Sequence, residues 1–169
     1  MKTMLVLDQF IQRHQLDADY LTYASENFSS ALLSIVAHQK QAKKTFLVGI
    51  NGCQGSGKST LADYFGTRLS TEFDLNVAVL SLDDFYYSRH QRNELANQVH
   101  PLLRTRGVPG THDMNLANTT LDKLCADATE SKPVKLPRFN KFADNPYPQS
   151  QWPIVDRPID VIILEGWFL

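Results

Sequence analysis

The feature that most constrains this chain is a glycine-rich segment at residues 52–59, Gly-Cys-Gln-Gly-Ser-Gly-Lys-Ser. It fits the pattern G-x-x-x-x-G-K-[ST] at every fixed position. An apolar run of strand-forming residues precedes it at 45–50, and a helical pattern follows at 59–69. A strand, a glycine loop and a helix in this order form a supersecondary unit that cradles phosphate groups, so the segment predicts an α/β fold with an anion site at the loop.

The composition of the loop suits a polyphosphate. Its glycines permit backbone angles at which successive N–H groups turn inward, and the following helix adds the positive end of its dipole. Lys58 is predicted to reach the β- and γ-phosphates of a nucleotide, and the Ser59 hydroxyl is predicted to coordinate Mg²⁺. The alternative is an ordinary glycine turn before a helix. The residues predicted to contact the nucleotide are Gly52, Cys53, Gln54, Gly55, Ser56, Gly57, Lys58, Ser59 and Thr60.

Composition narrows the class of protein. The chain has 169 residues, is 43% hydrophobic, and carries a formal net charge of −1 from 17 basic and 18 acidic side chains. This balance suits a globular domain and offers no basic footprint, so neither a nucleic-acid partner nor a membrane partner is expected. The apolar stretches are too short for a signal peptide or a membrane span, which predicts a cytoplasmic protein. Two cysteines indicate neither a disulfide framework nor a metal site, and the oligomeric state is left open.

Hydrophobic periodicity predicts helices alternating with strands. The predicted helices cover residues 4–14, 17–42, 59–69, 88–98 and 115–128. The predicted strands cover residues 45–50, 75–82, 134–136 and 159–165. Alternation of this kind favours a three-layer α/β sandwich with a mainly parallel sheet, in which ligands bind beyond the carboxyl ends of the strands. The stretch from 100 to 113 and the stretch after 136, both rich in Pro, Gly or polar residues, are predicted loops.

Two domains follow from this order of elements: an N-terminal helical extension at residues 1–42 and a nucleotide-binding domain at residues 43–169. The sequence stops at Leu169, directly after a buried strand. We therefore expect the C-terminal part of the fold to lie beyond this sequence; the alternative is a terminus that docks as an apolar plug.

Acidic residues stand where two of the strands end. Asp83 and Asp84 follow the second predicted strand, and Glu165 ends the last one. A carboxylate at position 83 is placed to take the proton of a substrate hydroxyl, although an Asp pair after a strand also often begins a helix. For Asp84 the sequence leaves both readings open, a role in the site and a role at the start of a helix. Glu165 is expected to hold Mg²⁺ directly or through water, unless it is merely solvated at the sheet edge.

Candidates for binding an anionic acceptor lie in two loops. The segment from Arg104 to Asp113 contains Arg106 and the pair His112 and Asp113, and Arg138 lies in a later loop. Guanidinium groups bind carboxylate and phosphate well, and the alternative is a surface with ordinary charges. The His-Asp pair has no serine elbow or nucleophilic cysteine beside it, so acyl hydrolysis is not expected.

Taken together, these motifs resemble the D-glycerate 3-kinase family and its uncharacterised bacterial relatives, within the wider phosphoribulokinase, uridine kinase and pantothenate kinase set of P-loop kinases. The segments that carry the resemblance are residues 52–60, 81–86, 106–113, 137–139 and 164–167. The resemblance implies ATP with Mg²⁺ as the donor, a small-molecule hydroxyl as the acceptor, and Asp83 as the base. It places Arg106 and Arg138 on the acceptor side. Asn140 stands where this family usually carries an Asp, which leaves the identity of the acceptor open.

The sequence thus predicts an ATP-dependent small-molecule kinase, or the N-terminal portion of one, that phosphorylates a small anionic, D-glycerate-like metabolite. Its predicted catalytic residues are Lys58, Asp83 and Glu165, with Ser59 and Glu165 at the metal. Asp84, Arg106, His112, Asp113 and Arg138 are the predicted acceptor-binding residues. Two alternatives stay open: a nucleotide-binding switch module, and a truncated P-loop domain without kinase activity.

Overall fold

A computed structural model describes residues 2–126, 132–155 and 158–169. The α-helices are α1 (Lys2–His14), α2 (Asp19–Ala42), α3 (Lys58–Glu72), α4 (Arg89–Gln98) and α5 (Met114–Cys125). The strands are β1 (Phe46–Asn51), β2 (Val77–Ser81), β3 (Val134–Lys135), β4 (Phe139–Asn140), β5 (Asn145–Pro146), β6 (Ile154–Val155) and β7 (Val161–Gly166). Short 3₁₀ helices cover Leu82–Phe85, Pro101–Arg104 and Gln149–Gln151.

The chain divides into two compact units. The first comprises Met1–Val79 and Pro158–Leu169, and the second comprises Leu80–Arg157. The first unit is built on a three-stranded sheet with the strand order β1-β7-β2. Strands β1 and β7 pair in parallel, in a register that runs from Phe46 opposite Val161 to Asn51 opposite Gly166. The α/β fold with parallel strand pairing is therefore confirmed.

Three helices and the sheet share the core of the first unit. Helix α1 packs on α3, while α2 contacts β1 and α3 contacts both β1 and β7. On β1, Phe46, Val48 and Ile50 pack against this core, whereas Leu47 is 49% exposed. Burial of a large apolar side chain stabilises a fold by about 1.5–3 kcal/mol, so this cluster accounts for much of the unit's stability. Its side chains that are at most 2% exposed include Phe10, Leu32, Tyr64, Leu69, Val161 and Ile163.

The second unit is organised around a buried arginine. The side chain of Arg92 is only 1% exposed, which is tolerated because its guanidinium is fully engaged. It donates to the backbone carbonyls of Tyr87 at 3.1 Å, Arg104 at 3.0 Å and Asp144 at 3.2 Å. It also forms a 2.7 Å ion pair with the Asp144 carboxylate. One side chain thus connects α4, the loop after it and the β4–β5 hairpin.

Most predicted elements agree with the structure, but the predicted loops contain regular structure. The stretch from 100 to 113 holds a 3₁₀ helix, and the stretch after 136 holds the antiparallel hairpin β4–β5 and the strand β6, which pairs with β3. Pieces of two to four residues are too short for a periodic sequence signal, which is why the sequence did not reveal them. The predicted helix at 115–128 is α5, and residues 127 and 128 lie outside the described part of the chain. No helix in the described segments is both long enough and apolar enough to cross a membrane.

Candidate functional site

The glycine loop lies between β1 and α3, where the sequence predicted it. Gly55 and Gly57 adopt φ angles of 75° and 83°, in the left-handed region that strains other residues, and Gly57 caps the N-terminus of α3. At Gly52 a Cβ atom would lie 2.9 Å from Ser56 Oγ, so a side chain there would collide with the loop. The backbone is therefore built for glycine at all three positions, as an anion-binding loop requires.

Lys58 and Ser59 begin α3 at the loop. The Lys58 ammonium donates to the carbonyl of Cys53 at 3.0 Å, which folds the side chain back over the loop. The Ser59 hydroxyl donates to Glu165 Oε1 at 2.9 Å. Glu165, the penultimate residue of β7, is 5% exposed. The structure thus brings together a hydroxyl and a carboxylate that are 106 positions apart in the sequence.

Next to Ser59, Thr60 faces the N-terminal helix. Its Oγ1 lies 3.5 Å from His14 Nδ1, and His14 Nε2 lies 2.7 Å from the carboxylate of Asp63 on α3. Arg13 donates to the same carboxylate at 2.8 Å. These contacts fasten the end of α1 to the first two turns of the helix that carries Lys58.

In the second unit, Asp83 lies in the 3₁₀ helix that follows β2. Its backbone N–H donates to the Ser81 hydroxyl at 3.3 Å, and its carboxylate accepts from Lys141 Nζ at 2.6 Å. Tyr86 interacts with the same carboxylate. Burial raises the pKa of Asp83, but Lys141, with smaller contributions from Tyr86 and His112, outweighs burial and holds that pKa below its usual value. Asp83 is therefore a carboxylate at neutral pH.

Asp84 faces the base of the β4–β5 hairpin. Its Oδ2 accepts from Arg138 at 3.1 Å, and its Oδ1 accepts from the Phe139 backbone N–H at 3.1 Å. Burial raises the pKa of Asp84 above its ordinary value, although Arg138 and the Phe139 N–H oppose the rise. Asp84 and Arg138, both predicted from the sequence, are thus partners of one another.

His112 and Asp113 lie at the start of α5. His112 is 3% exposed, and its ring lies 4.0 Å from the ring of Tyr86, centroid to centroid. Burial lowers the pKa of His112 to about 4, although the Asp83 carboxylate opposes the shift, so the imidazole is neutral at pH 7. Asp113 caps α5, because its Oδ1 accepts from the Leu116 N–H at 2.9 Å. Both residues therefore have roles in the packing of the second unit.

Arg106 is held by an acid that the sequence did not single out. Its Nη1 donates to Asp144 Oδ1 at 2.6 Å and to the Lys141 carbonyl at 3.1 Å. Three residues around the predicted site escaped prediction: Tyr86, Lys141 and Asp144. Tyr86 lies in the motif segment 81–86, and Lys141 lies two residues after the segment 137–139. Both were therefore near residues that the sequence singled out, but the contact of Lys141 depends on the fold of the hairpin.

Comparison with known proteins finds that the chain is similar to proteins described as kinases. No protein-family model matches the chain. It is 36% identical over 141 residues to mug58 of Schizosaccharomyces pombe, described as an uncharacterized kinase, and this match covers 78% of the chain and 50% of the relative. It is 36% identical over 129 residues to the chloroplastic D-glycerate 3-kinase of Arabidopsis thaliana, which covers 73% of the chain and 28% of that enzyme.

A solved structure agrees with these matches. The D-glycerate 3-kinase of Cryptococcus neoformans superposes with a TM-score of 0.67 at 30% identity, over 84% of this chain and 51% of that one. The chain therefore spans about half or less of the length of these relatives.

Proposed function

Because this chain belongs to the P-loop kinase superfamily and is homologous to D-glycerate 3-kinase and mug58, we propose that it is the nucleotide-binding part, or the whole, of an ATP-dependent small-molecule kinase. The reaction we propose is transfer of the γ-phosphoryl group of ATP to a hydroxyl of a small anionic, D-glycerate-like metabolite. The observation that carries the proposal is the glycine loop opening into α3, with Lys58 and Ser59 at the helix start and Glu165 beside Ser59.

The loop would bind the donor phosphates. The N–H groups of residues 52–60 and the N-terminus of α3 offer partial positive charge to the β- and γ-phosphates. Lys58 now donates to a loop carbonyl, and a phosphate oxygen would replace that carbonyl as its acceptor. Charge stabilisation of this kind, made before the reaction begins, is the main contribution that a protein makes to phosphoryl transfer.

The donor set beside the loop fits Mg²⁺. A serine hydroxyl and a buried carboxylate are hard oxygen ligands, and Mg²⁺ in phosphoryl-transfer sites takes one or two carboxylates together with substrate phosphates. Ser59 and Glu165 would hold the ion. When bound, it would neutralise charge on the β- and γ-phosphate oxygens.

Asp83 is the proposed base. The acceptor oxygen would attack the γ-phosphorus, the bond from that phosphorus to the β-phosphate bridging oxygen would break to release ADP, and the hydroxyl proton would pass to Asp83. The lowered pKa keeps Asp83 ionised before this step, and its pair with Lys141 holds the carboxylate in place.

Among the predicted acceptor-binding residues, the two arginines are the best placed to contact a ligand. The side chains of Arg106 and Arg138 are 34% and 32% exposed, which leaves part of each guanidinium accessible. Asp84 would act on the acceptor through Arg138, which donates to its carboxylate at 3.1 Å. His112 is 3% exposed and Asp113 caps α5, so both would act by holding the second unit in shape.

The test is coupled ADP release by the full-length protein with glycerate, pantothenate, uridine and ribulose 5-phosphate as acceptors. Asp83→Asn is expected to lower turnover by about 10²–10⁴-fold while ATP affinity stays unchanged, because a general base contributes about that much. Asp122→Asn, an exposed acid on α5, is the matched control and should behave as wild type. A nucleotide-binding switch would show no acceptor-dependent turnover and no response to Asp83→Asn, and that result would refute the proposal.

A further inference from the structure

Four arginines of the second unit surround one cavity. Arg89, Arg92, Arg104 and Arg106 line a space of about 390 Å³ together with Asn93, Thr105 and Asp144. We call this cavity the arginine pocket. The sequence predicted anion binding for the loop that holds Arg104 and Arg106, but it did not single out Arg89 and Arg92 of α4.

The arginine pocket carries excess positive charge. Asp144 is its one acidic lining residue, and both of its carboxylate oxygens are already engaged, Oδ2 by Arg92 at 2.7 Å and Oδ1 by Arg106 at 2.6 Å. These two arginines outweigh burial and hold the pKa of Asp144 below its usual value. The lining thus has three more positive charges than negative ones. Guanidinium groups repel one another when gathered in this way, unless an anion lies among them.

Helix α4 brings two of these charges to a position where an anion is favoured. Arg89 and Arg92 lie in its first turn, which contains no acidic residue. Arg89, Arg92 and Asn93 share one helical face, and that face lines the cavity. Arginine near a helix N-terminus opposes the macrodipole, so the helix dipole does not account for these two charges. An anion in the cavity would be attracted by the guanidinium groups.

The pocket also has hydrogen-bond donors to spare. Arg106 uses only Nη1 in its two polar contacts within the described residues. The Arg104 side chain makes a single 3.3 Å hydrogen bond, to Asn97, within the same residues. The Arg89 side chain makes no hydrogen bond to any part of the chain that the structure describes, although its backbone N–H donates to Asn145 at 3.0 Å. Free guanidinium forks suit the paired oxygens of a phosphate or carboxylate.

The arginine pocket adjoins Asp83 through two short connections. Arg106 donates to the carbonyl of Lys141, and the Lys141 ammonium donates to Asp83. The Arg106 guanidinium also lies 5.8 Å from the Phe139 ring centroid, and that ring packs against Tyr86, the other partner of Asp83. Arg106, which lines the pocket, is thus connected to the proposed base through Lys141 and through the packed rings of Phe139 and Tyr86.

We propose that the arginine pocket binds a doubly charged oxyanion group and that this group is the charged end of the acceptor, with the acceptor hydroxyl directed toward Asp83. The assignment to the acceptor rests on the proposed kinase function; the binding of a doubly charged oxyanion does not. The acceptor class that follows is a hydroxyl compound bearing a phosphate monoester or two carboxylates. D-glycerate, a singly charged hydroxy acid, compensates less of the excess charge and should bind more weakly, so the pocket narrows the D-glycerate-like acceptor of the proposed function to doubly charged analogues.

The test is calorimetric titration of the full-length protein, with saturating Mg·ADP present so that the glycine loop is occupied. The probes are inorganic phosphate at pH 8, malonate as a dicarboxylate, and D-glycerate as a single carboxylate. Arg89→Gln and Arg104→Gln are the test variants, because neither side chain holds Asp144. Arg13→Gln, which removes an exposed guanidinium from α1, is the matched control.

The expected result is saturable binding of phosphate or malonate, tighter than that of D-glycerate and weakened about tenfold by each test variant but not by the control. Phosphate tighter than malonate would assign the acceptor to phosphate monoesters, and the reverse order would assign it to dicarboxylates. Binding that is unchanged in both test variants, or absent for both doubly charged probes, would overturn the proposal. Saturable binding in a protein without acceptor-dependent ADP release would support the ligand chemistry and refute the kinase function instead.

Discussion

At the scale of single residues, the decisive pair is Asp83 and Lys141. Their 2.6 Å contact joins the end of β2 to the β4–β5 hairpin, and it lowers the pKa of a carboxylate that burial alone would raise. A low pKa keeps the proposed base ionised, but the same ammonium group competes with a substrate proton for the carboxylate. Lys141 is 62% exposed on its side chain, so it is free to turn toward a bound anion.

Lys141→Met should change the pH dependence of turnover. Without the ammonium, burial dominates and the pKa of Asp83 rises, so the carboxylate becomes protonated at a higher pH than in the wild type. The acidic limb of the profile of kcat/KM against pH should therefore move to higher pH. The measurement is acceptor-dependent ADP release between pH 4 and 9.

Lys135→Met is the control for that experiment, because Lys135 is an exposed lysine of β3 outside this contact. Its profile should match the wild type. An acidic limb that stays in place in Lys141→Met would show that Lys141 does not set the protonation of the base.

At the scale of elements, α3 fits the sheet because one of its residues has no side chain. A Cβ atom on Gly66 would lie 2.8 Å from Val79 Cγ2 of β2, closer than carbon atoms pack. Glycine inside a helix normally costs about 1 kcal/mol relative to alanine, so packing must account for its presence here. The helix can therefore lie close to the strand.

Gly66→Ala should destabilise the protein despite its better helix propensity. Overpacking costs about 1–3 kcal/mol, and valine is stiff at χ1, so Val79 cannot turn aside cheaply. We expect a net loss of about 1 kcal/mol in the free energy of unfolding, measured by urea denaturation. In a Val79→Ala background the same substitution should instead be neutral or stabilising, because the colliding methyl group is gone. A loss of equal size in both backgrounds would rule out this explanation.

At the scale of the whole molecule, the N-terminal helices share their core with the glycine-loop unit. Phe10 of α1 is fully buried, with its ring 5.9 Å from the Tyr64 ring of α3, centroid to centroid. The ion pairs of Arg13 and His14 with Asp63 tie the same two helices together at the surface. The division into a helical extension at residues 1–42 and a nucleotide-binding domain at residues 43–169 remains a prediction.

Phe10→Ala should destabilise the first unit by about 3–5 kcal/mol, because it empties a buried aromatic site. If α1 and α3 unfold together with the glycine loop, Mg·ADP should raise the unfolding temperature of both the wild type and this variant. The variant should unfold at the lower temperature of the two, with or without the nucleotide. Leu5→Ala is the control, since Leu5 is 61% exposed on the same helix, and it should change stability by no more than about 0.5 kcal/mol. Equal effects of the two substitutions would mean that α1 is not part of the core.

Much of the fold could be predicted because its signals are local. The phosphate loop is contiguous, and the helices and the long strands have apolar periodicity over five residues or more. The hairpin β4–β5 escaped prediction because each of its strands has two residues. Its position matters for the candidate site, since Arg138 directly precedes the hairpin and Lys141 begins its turn.

The sequence by itself determined the glycine loop between a strand and a helix, because such a loop needs only its own backbone angles and the start of the helix to take the form of an anion site. The tertiary structure decided the partners of the acids. Glu165 meets Ser59 across 106 positions, Asp83 meets Lys141 across 58, and Asp144 gathers Arg92 and Arg106. Those contacts form between segments that are far apart in the sequence, and no local pattern of residues encodes how such segments pack.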